Sequence, residues 1–158
     1  MSTVMPRLFV AVAALLLCFA GSGGVLANGK SGARILFLGN SITLHSPAPE
    51  IGWTGNWGMA ASAPENDYVH LVAAGLAHLT GAVPEIRVRN IADFERGFES
   101  FDIGAVLKPE LEFAADTVVI AIGENVAEPA GAAESAKFEA AFTRLLAALR
   151  QHGNPAVF

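Results

Sequence analysis

Ser41 and Asn125 are the two residues of this sequence whose types and settings suit shared chemistry. Residues 33–43 read Ala-Arg-Ile-Leu-Phe-Leu-Gly-Asn-Ser-Ile-Thr, and the apolar run 35–38 stops abruptly at Gly39-Asn40-Ser41. A second apolar run, 117–122, stops in the same way at Gly123-Glu124-Asn125. Short continuous apolar runs fit strands of a parallel sheet covered on both faces. Such sheets place their chemistry just beyond the carboxyl ends of the strands, so both side chains are expected on one rim. A hydroxyl nucleophile beside an amide N–H donor is what acyl transfer needs. The donor stabilises the tetrahedral oxyanion, and one such donor contributes about 3 kcal/mol. Ser41 alone would read as a turn or capping serine. Asn125, in the same relation to its own strand, favours the chemical reading.

The elements around these two residues follow from the pattern. Residues 40–65 hold Gly, Pro, Asn, Ser and two tryptophans without a clear period, and read as a long loop. Long loops inside compact domains are usually functional. A helix is predicted over 66–80, capped by Asn66 or Asp67 and ended by Gly81. Tyr68, Val72, Leu76 and Leu79 form its apolar stripe, with Leu71 on the same side. Pro84 opens a second strand over 85–91, whose Arg87 and Arg89 make it more polar and put it nearer a sheet edge. Residues 92–104 read as a polar loop. A short helix follows over 105–113, started or kinked by Pro109. The next helix, near 134–151, carries Phe138, Phe142, Leu145 and Leu149 as its buried stripe. Ala156-Val157-Phe158 then reads as the first residues of a fourth strand. This alternation implies an α/β fold built on βαβ units. The sequence stops at the third apolar residue of a strand, so the domain is expected to be truncated after the start of the fourth strand.

Composition narrows the function classes. The chain has 158 residues, 53% of them hydrophobic and 16% charged, which suits one compact domain at most. Its net charge is −5, and it has no basic stripe with which to neutralise nucleic-acid phosphates. Residues 1–27 read as a secretory signal peptide. Arg7 supplies the positive end, residues 8–20 form an uncharged apolar stretch, and Val25-Leu26-Ala27 offers a cleavage site after Ala27. The expected location is therefore secreted or periplasmic, with residues 28–158 forming the domain. The apolar stretch is short of the roughly 20 residues that span a bilayer, so no stable membrane span is expected in the mature chain. The only cysteine, Cys18, lies in the leader after Leu17, where a lipoprotein signal would want a small residue. The mature chain then uses no disulfide. No Cys/His cluster or His-Glu-x-x-His pattern points to a metal. No glycine-rich phosphate loop points to a nucleotide. No cofactor is expected.

From about Arg34 onward the sequence resembles the SGNH/GDSL hydrolases. Gly39-Asn40-Ser41-Ile42-Thr43 is similar to their Gly-Asp-Ser block, and Gly123-Glu124-Asn125 to their Gly-x-Asn block. The resemblance implies a three-layer α/β/α, flavodoxin-like parallel sheet and an ester hydrolase: an esterase, lipase, thioesterase or carbohydrate deacetylase. It implies Ser41 as nucleophile and backbone oxyanion donor, and Asn125 as side-chain oxyanion donor. A glycine after the second strand would be the third donor, and Gly97 is the only glycine in that region. There are two departures besides this late glycine. Asn40 stands where the family usually has aspartate, and the family's catalytic Asp-x-x-His after the last strand is absent from this sequence.

Several nearby residues carry a rival reading. Asp67-Tyr68-Val69-His70 matches Asp-x-x-His but lies at the start of a predicted helix, where Asp is a favoured residue. His45 is close to Ser41 in sequence, as a loop histidine; His78 and His152 read as helix surface positions. Trp53 and Trp57 either form a stacking wall for a sugar ring or acyl chain, or seal the sheet edge. Asp93 and Glu124 are the carboxylates nearest the rim and read as solvated. The leading expectation is a secreted serine ester hydrolase acting on a small-molecule or glycan ester. It would be weak or inactive without a base. The rival is a non-catalytic protein of the same fold that binds a carbohydrate or an anion.

Overall fold

The computed structural model describes residues 32–127 and 131–158. The expectations for the leader, Cys18 and the cleavage site lie outside the described residues. Four parallel strands form one sheet in the order β2-β1-β3-β4. They are β1 (Arg34–Gly39), β2 (Glu85–Asn90), β3 (Thr117–Ala121) and β4 (Ala156–Val157). The order is compatible with a flavodoxin-like sheet, in which the chain leaves β1 to one side for β2 and later returns to its other side for β3.

The central strand shows why its sequence is apolar without visible alternation. Leu36 and Leu38 face one side of the sheet, in a core with Ile91, Phe94, Leu107, Leu111, Val118 and Leu145. Ile35 and Phe37 face the other side, in a core with Tyr68, Val69, Val72 and Leu76. Successive side chains alternate as a strand requires, but both faces are covered, so every position is apolar. Helix α1 (Tyr68–Thr80) covers the second face. The short helices α2 (Ala92–Gly97), α3 (Ile103–Val106) and α4 (Lys108–Glu112), with the long α5 (Ala132–Gln151), belong to the first. The result is the three-layer α/β/α arrangement.

The edge position of β2 agrees with its two arginines. Arg87 on β2 and Arg34 on β1 stack their guanidinium groups over the Phe113 ring at 4.8 and 4.4 Å. Cation–π contact of this kind lets a strand carry charge beside an aromatic core residue.

Three expectations change. The stripe of α1 runs through Tyr68, Val69, Val72 and Leu76, while Leu71 and Leu79 are exposed. Val69 rather than Leu79 is buried because the helix begins at Tyr68, and its first turn lies against Phe37. The segment 92–104 is not all loop: its first six residues form α2. The helix expected over 105–113 is two short ones, and Pro109 sits in the first turn of the second, where its missing N–H costs nothing.

Candidate active site

The rim is level where it matters. Gly39 on β1 pairs in register with Asn90 on β2 and Ala121 on β3. Ser41 and Asn125 lie just beyond the ends of the neighbouring strands β1 and β3. This is the point where the strand order reverses, the usual ligand crevice of an open parallel sheet.

Ser41 sits on a tight elbow. The Asn40 side-chain oxygen accepts from Ile42 N at 3.0 Å, and the Asn40 carbonyl accepts from Thr43 N at 2.9 Å and Leu44 N at 3.0 Å. The turn folds Thr43 back over the strand end, where its hydroxyl meets the Tyr68 hydroxyl at 2.8 Å. Gly39 permits this fold. A methyl there would overlap the Thr43 hydroxyl and lie 2.9 Å from the Ala121 carbonyl. Burial pushes the Tyr68 phenol up to about 12, against the lowering effect of Thr43, so Tyr68 is a neutral member of this contact. Ser41 is half-buried, and its carbonyl accepts from Met59 N at 2.9 Å. Among the described residues, neither its N–H nor its hydroxyl has a hydrogen-bond partner.

Asn125 is held by a residue that the sequence reading passed over. Glu95, on α2, is 1% exposed. Its Oε1 accepts from Gly123 N at 2.6 Å and Asn125 N at 3.1 Å, and its Oε2 accepts from Asn125 Nδ2 at 2.9 Å. Asn40 Nδ2 approaches Glu95 Oε1 at 3.5 Å and donates to Glu124 Oε2 at 2.5 Å. The ends of β1 and β3 are thus joined through one buried carboxylate on the helix after β2. On its other side, Asn125 Oδ1 accepts from Arg96 Nη2 at 2.9 Å. The second N–H of Asn125 has no partner among the described residues.

The tryptophan loop is built onto the same elbow. Backbone bridges join His45 to Trp57 and Ala48 to Trp53. The indole nitrogens donate inward, Trp53 to the His45 carbonyl and Trp57 to the Ala61 carbonyl. The two rings meet edge to face with centroids 5.3 Å apart, and Gly55 packs against both. Gly58 lies so close to the Ile42 carbonyl that no larger residue fits. Both tryptophans are half-buried, so part of each ring closes the loop and part stays open to solvent.

The remaining residues fall as follows. Asp67 is buried and caps α1, accepting from His70 N at 2.8 Å and from His70 Nδ1 at 2.7 Å; Gly58 N lies 3.4 Å from its other oxygen. Its capping role follows from its place before the helix. His45 Nδ1 is engaged by the Ser46 carbonyl, and no described histidine is hydrogen-bonded to Ser41. Asp93 is exposed as expected. Glu124 is exposed too, but it is engaged with Asn40. Gly97 is the last residue of α2, and its carbonyl accepts from Ser100 N; no hydrogen bond joins it to Ser41 or Asn125. Among the described residues, no group of three or more His, Cys, Asp or Glu is set to hold a metal ion, and no helix is long and apolar enough to cross a membrane.

The chain matches none of the family models, curated proteins or solved structures with which it was compared.

Proposed function

We propose that the chain carries the nucleophile and oxyanion side of a secreted serine ester hydrolase of the SGNH/GDSL type. Ser41 Oγ attacks the acyl carbonyl carbon, and the hydroxyl proton passes to a base. The oxyanion accepts from the Ser41 N–H and from the second N–H of Asn125. Collapse of the intermediate expels the alcohol, and water then hydrolyses the acyl-serine. By the family resemblance, the base would be a histidine held by an aspartate after the last strand. A serine hydroxyl is a weak nucleophile without one.

The observation that carries the reading is a convergence at one rim. A Ser41 hydroxyl and N–H without a partner among the described residues stand at the end of β1, and an amide held by a buried carboxylate stands at the end of the neighbouring β3. The leader supports export, and the tryptophan loop supports a substrate with a ring or chain to pack. A second reading rests on the lack, among the described residues, of a histidine bonded to Ser41: the same donors suit a sugar or an anion held without chemistry.

Hydrolysis of a chromogenic acetate ester by the full-length gene product separates the two. Turnover that disappears in Ser41→Ala supports the enzyme. Binding of glycans with no turnover supports the binding protein.

A further inference from the structure

The carboxamide of Asn125 is gripped at both ends by two successive residues of α2. Its nitrogen donates to Glu95 Oε2 and its oxygen accepts from Arg96 Nη2, each at 2.9 Å. An ionised carboxylate only accepts and a guanidinium only donates. A flipped amide would therefore set oxygen against oxygen on one side and N–H against N–H on the other. Glu95 has no room to adapt, because it is buried and its other oxygen already serves Gly123 N and Asn125 N. Arg96 is exposed and reaches Asn125 from the solvent side.

We propose that Glu95 and Arg96 form a polarity clamp that fixes the orientation of the Asn125 amide and so presents its second N–H to the reacting carbonyl. Glu95 is then a positioning residue that never touches substrate. The inference rests on the reading of Asn125 as an oxyanion donor. A donor that is already oriented costs no reorganisation when charge develops, whereas a carboxamide free to turn presents its oxygen as readily as its N–H. Glu95→Gln keeps the shape and removes the polarity. Whichever way the new amide turns, an N–H faces an N–H, either at Asn125 Nδ2 or at the backbone of Gly123 and Asn125.

The test is kinetic and spectroscopic, on the full-length gene product. With a chromogenic acetate ester, Glu95→Gln should lower kcat by about 10²-fold, the cost of one oxyanion donor, and leave KM nearly unchanged. In an Asn125→Ala background the same change should have no further effect, since its target is gone. Arg96→Ala, at an exposed position that folding tolerates, should lower kcat in the same direction and again only when Asn125 is present. Unchanged kcat in both clamp variants, or full additivity with Asn125→Ala, overturns the proposal. The side-chain amide resonances of Asn125 provide a readout independent of turnover. They should move in Glu95→Gln and in Arg96→Ala; resonances that stay in place overturn the clamp. Absence of Ser41-dependent hydrolysis in the wild type would refute the hydrolase reading instead, and the resonances alone would then decide the clamp.

Discussion

Asn40→Asp would complete the Gly-Asp-Ser pattern that residues 39–41 resemble, and in this chain it should be damaging. Asn40 is 1% exposed, and its amide nitrogen faces two carboxylates, Glu124 at 2.5 Å and Glu95 at 3.5 Å. An aspartate keeps the oxygen that caps Ile42 N but exchanges the donor for a third carboxylate oxygen. A hydrogen bond to a charged group contributes roughly 1.5–3 kcal/mol, and only the shorter contact counts fully. Like charges about 4 Å apart add a repulsion of up to about 4 kcal/mol at an effective dielectric near 20. Glu124 is exposed and can swing away, whereas Glu95 cannot. The net loss should be about 4 kcal/mol, a large share of the roughly 5–15 kcal/mol that holds a domain together. The sign with pH follows. Crowding by Glu95 and Glu124 raises the folded-state pKa of the new carboxyl, so the variant is least impaired below the ordinary aspartate value of about 4. Its deficit grows as pH rises from there through the raised folded value. Urea unfolding of the wild type, Asn40→Asp, Glu124→Gln and the double variant measures this. In the double variant the new amide at position 124 can donate to the new carboxylate at position 40, so at least half of the loss should return. An Asn40→Asp protein as stable as the wild type, or costs that simply add, would refute the reasoning.

Three further outcomes are expected. Tyr68 is the only tyrosine of the chain, so phenolate absorbance reports on it alone. Burial raises it to about 12. A raised folded value means that the neutral phenol is favoured by folding. The corresponding stability, about 3 kcal/mol for a two-unit shift, is full below pH 10 and is lost as pH rises through 12; phenolate formed at pH 10 in the folded protein would contradict this. Gly39→Ala should open the Ser41 elbow and cost about 1–3 kcal/mol, since the methyl meets the Thr43 hydroxyl and the Ala121 carbonyl; unaltered unfolding midpoint and activity would count against the elbow geometry. Trp57→Ala should raise KM for a bulky ester far more than for a small acetate ester; equal effects would assign Trp57 to sealing the loop alone.

The parts of the fold visible in the sequence were those with one dominant physical cause. β1 and β3 are apolar on both faces, and the edge strand is marked by Arg87 and Arg89. The ends of α1 are set by Asp67 and Gly81. The six residues of α2 are too few for a period to register, and one of its buried members is a glutamate. Glu95 lies in the polar stretch 92–104, and nothing local reveals that the Gly123–Asn125 loop supplies it with three N–H donors from 28 to 30 residues away. The one available signal was reciprocal: a strand-end loop rich in inward N–H groups needs an acceptor. Leu79 misleads for a related reason, since helical spacing gives a face but not how far along the helix the partner sheet extends.

Covalent labelling tests the central claim most directly. An activated serine displaces fluoride from a fluorophosphonate and keeps the phosphonyl group on Oγ. Treatment of the full-length gene product, followed by peptide mapping, should give one adduct on the peptide containing Ser41, and Ser41→Ala should abolish it. No adduct on that peptide, or labelling that persists in Ser41→Ala, would contradict the account.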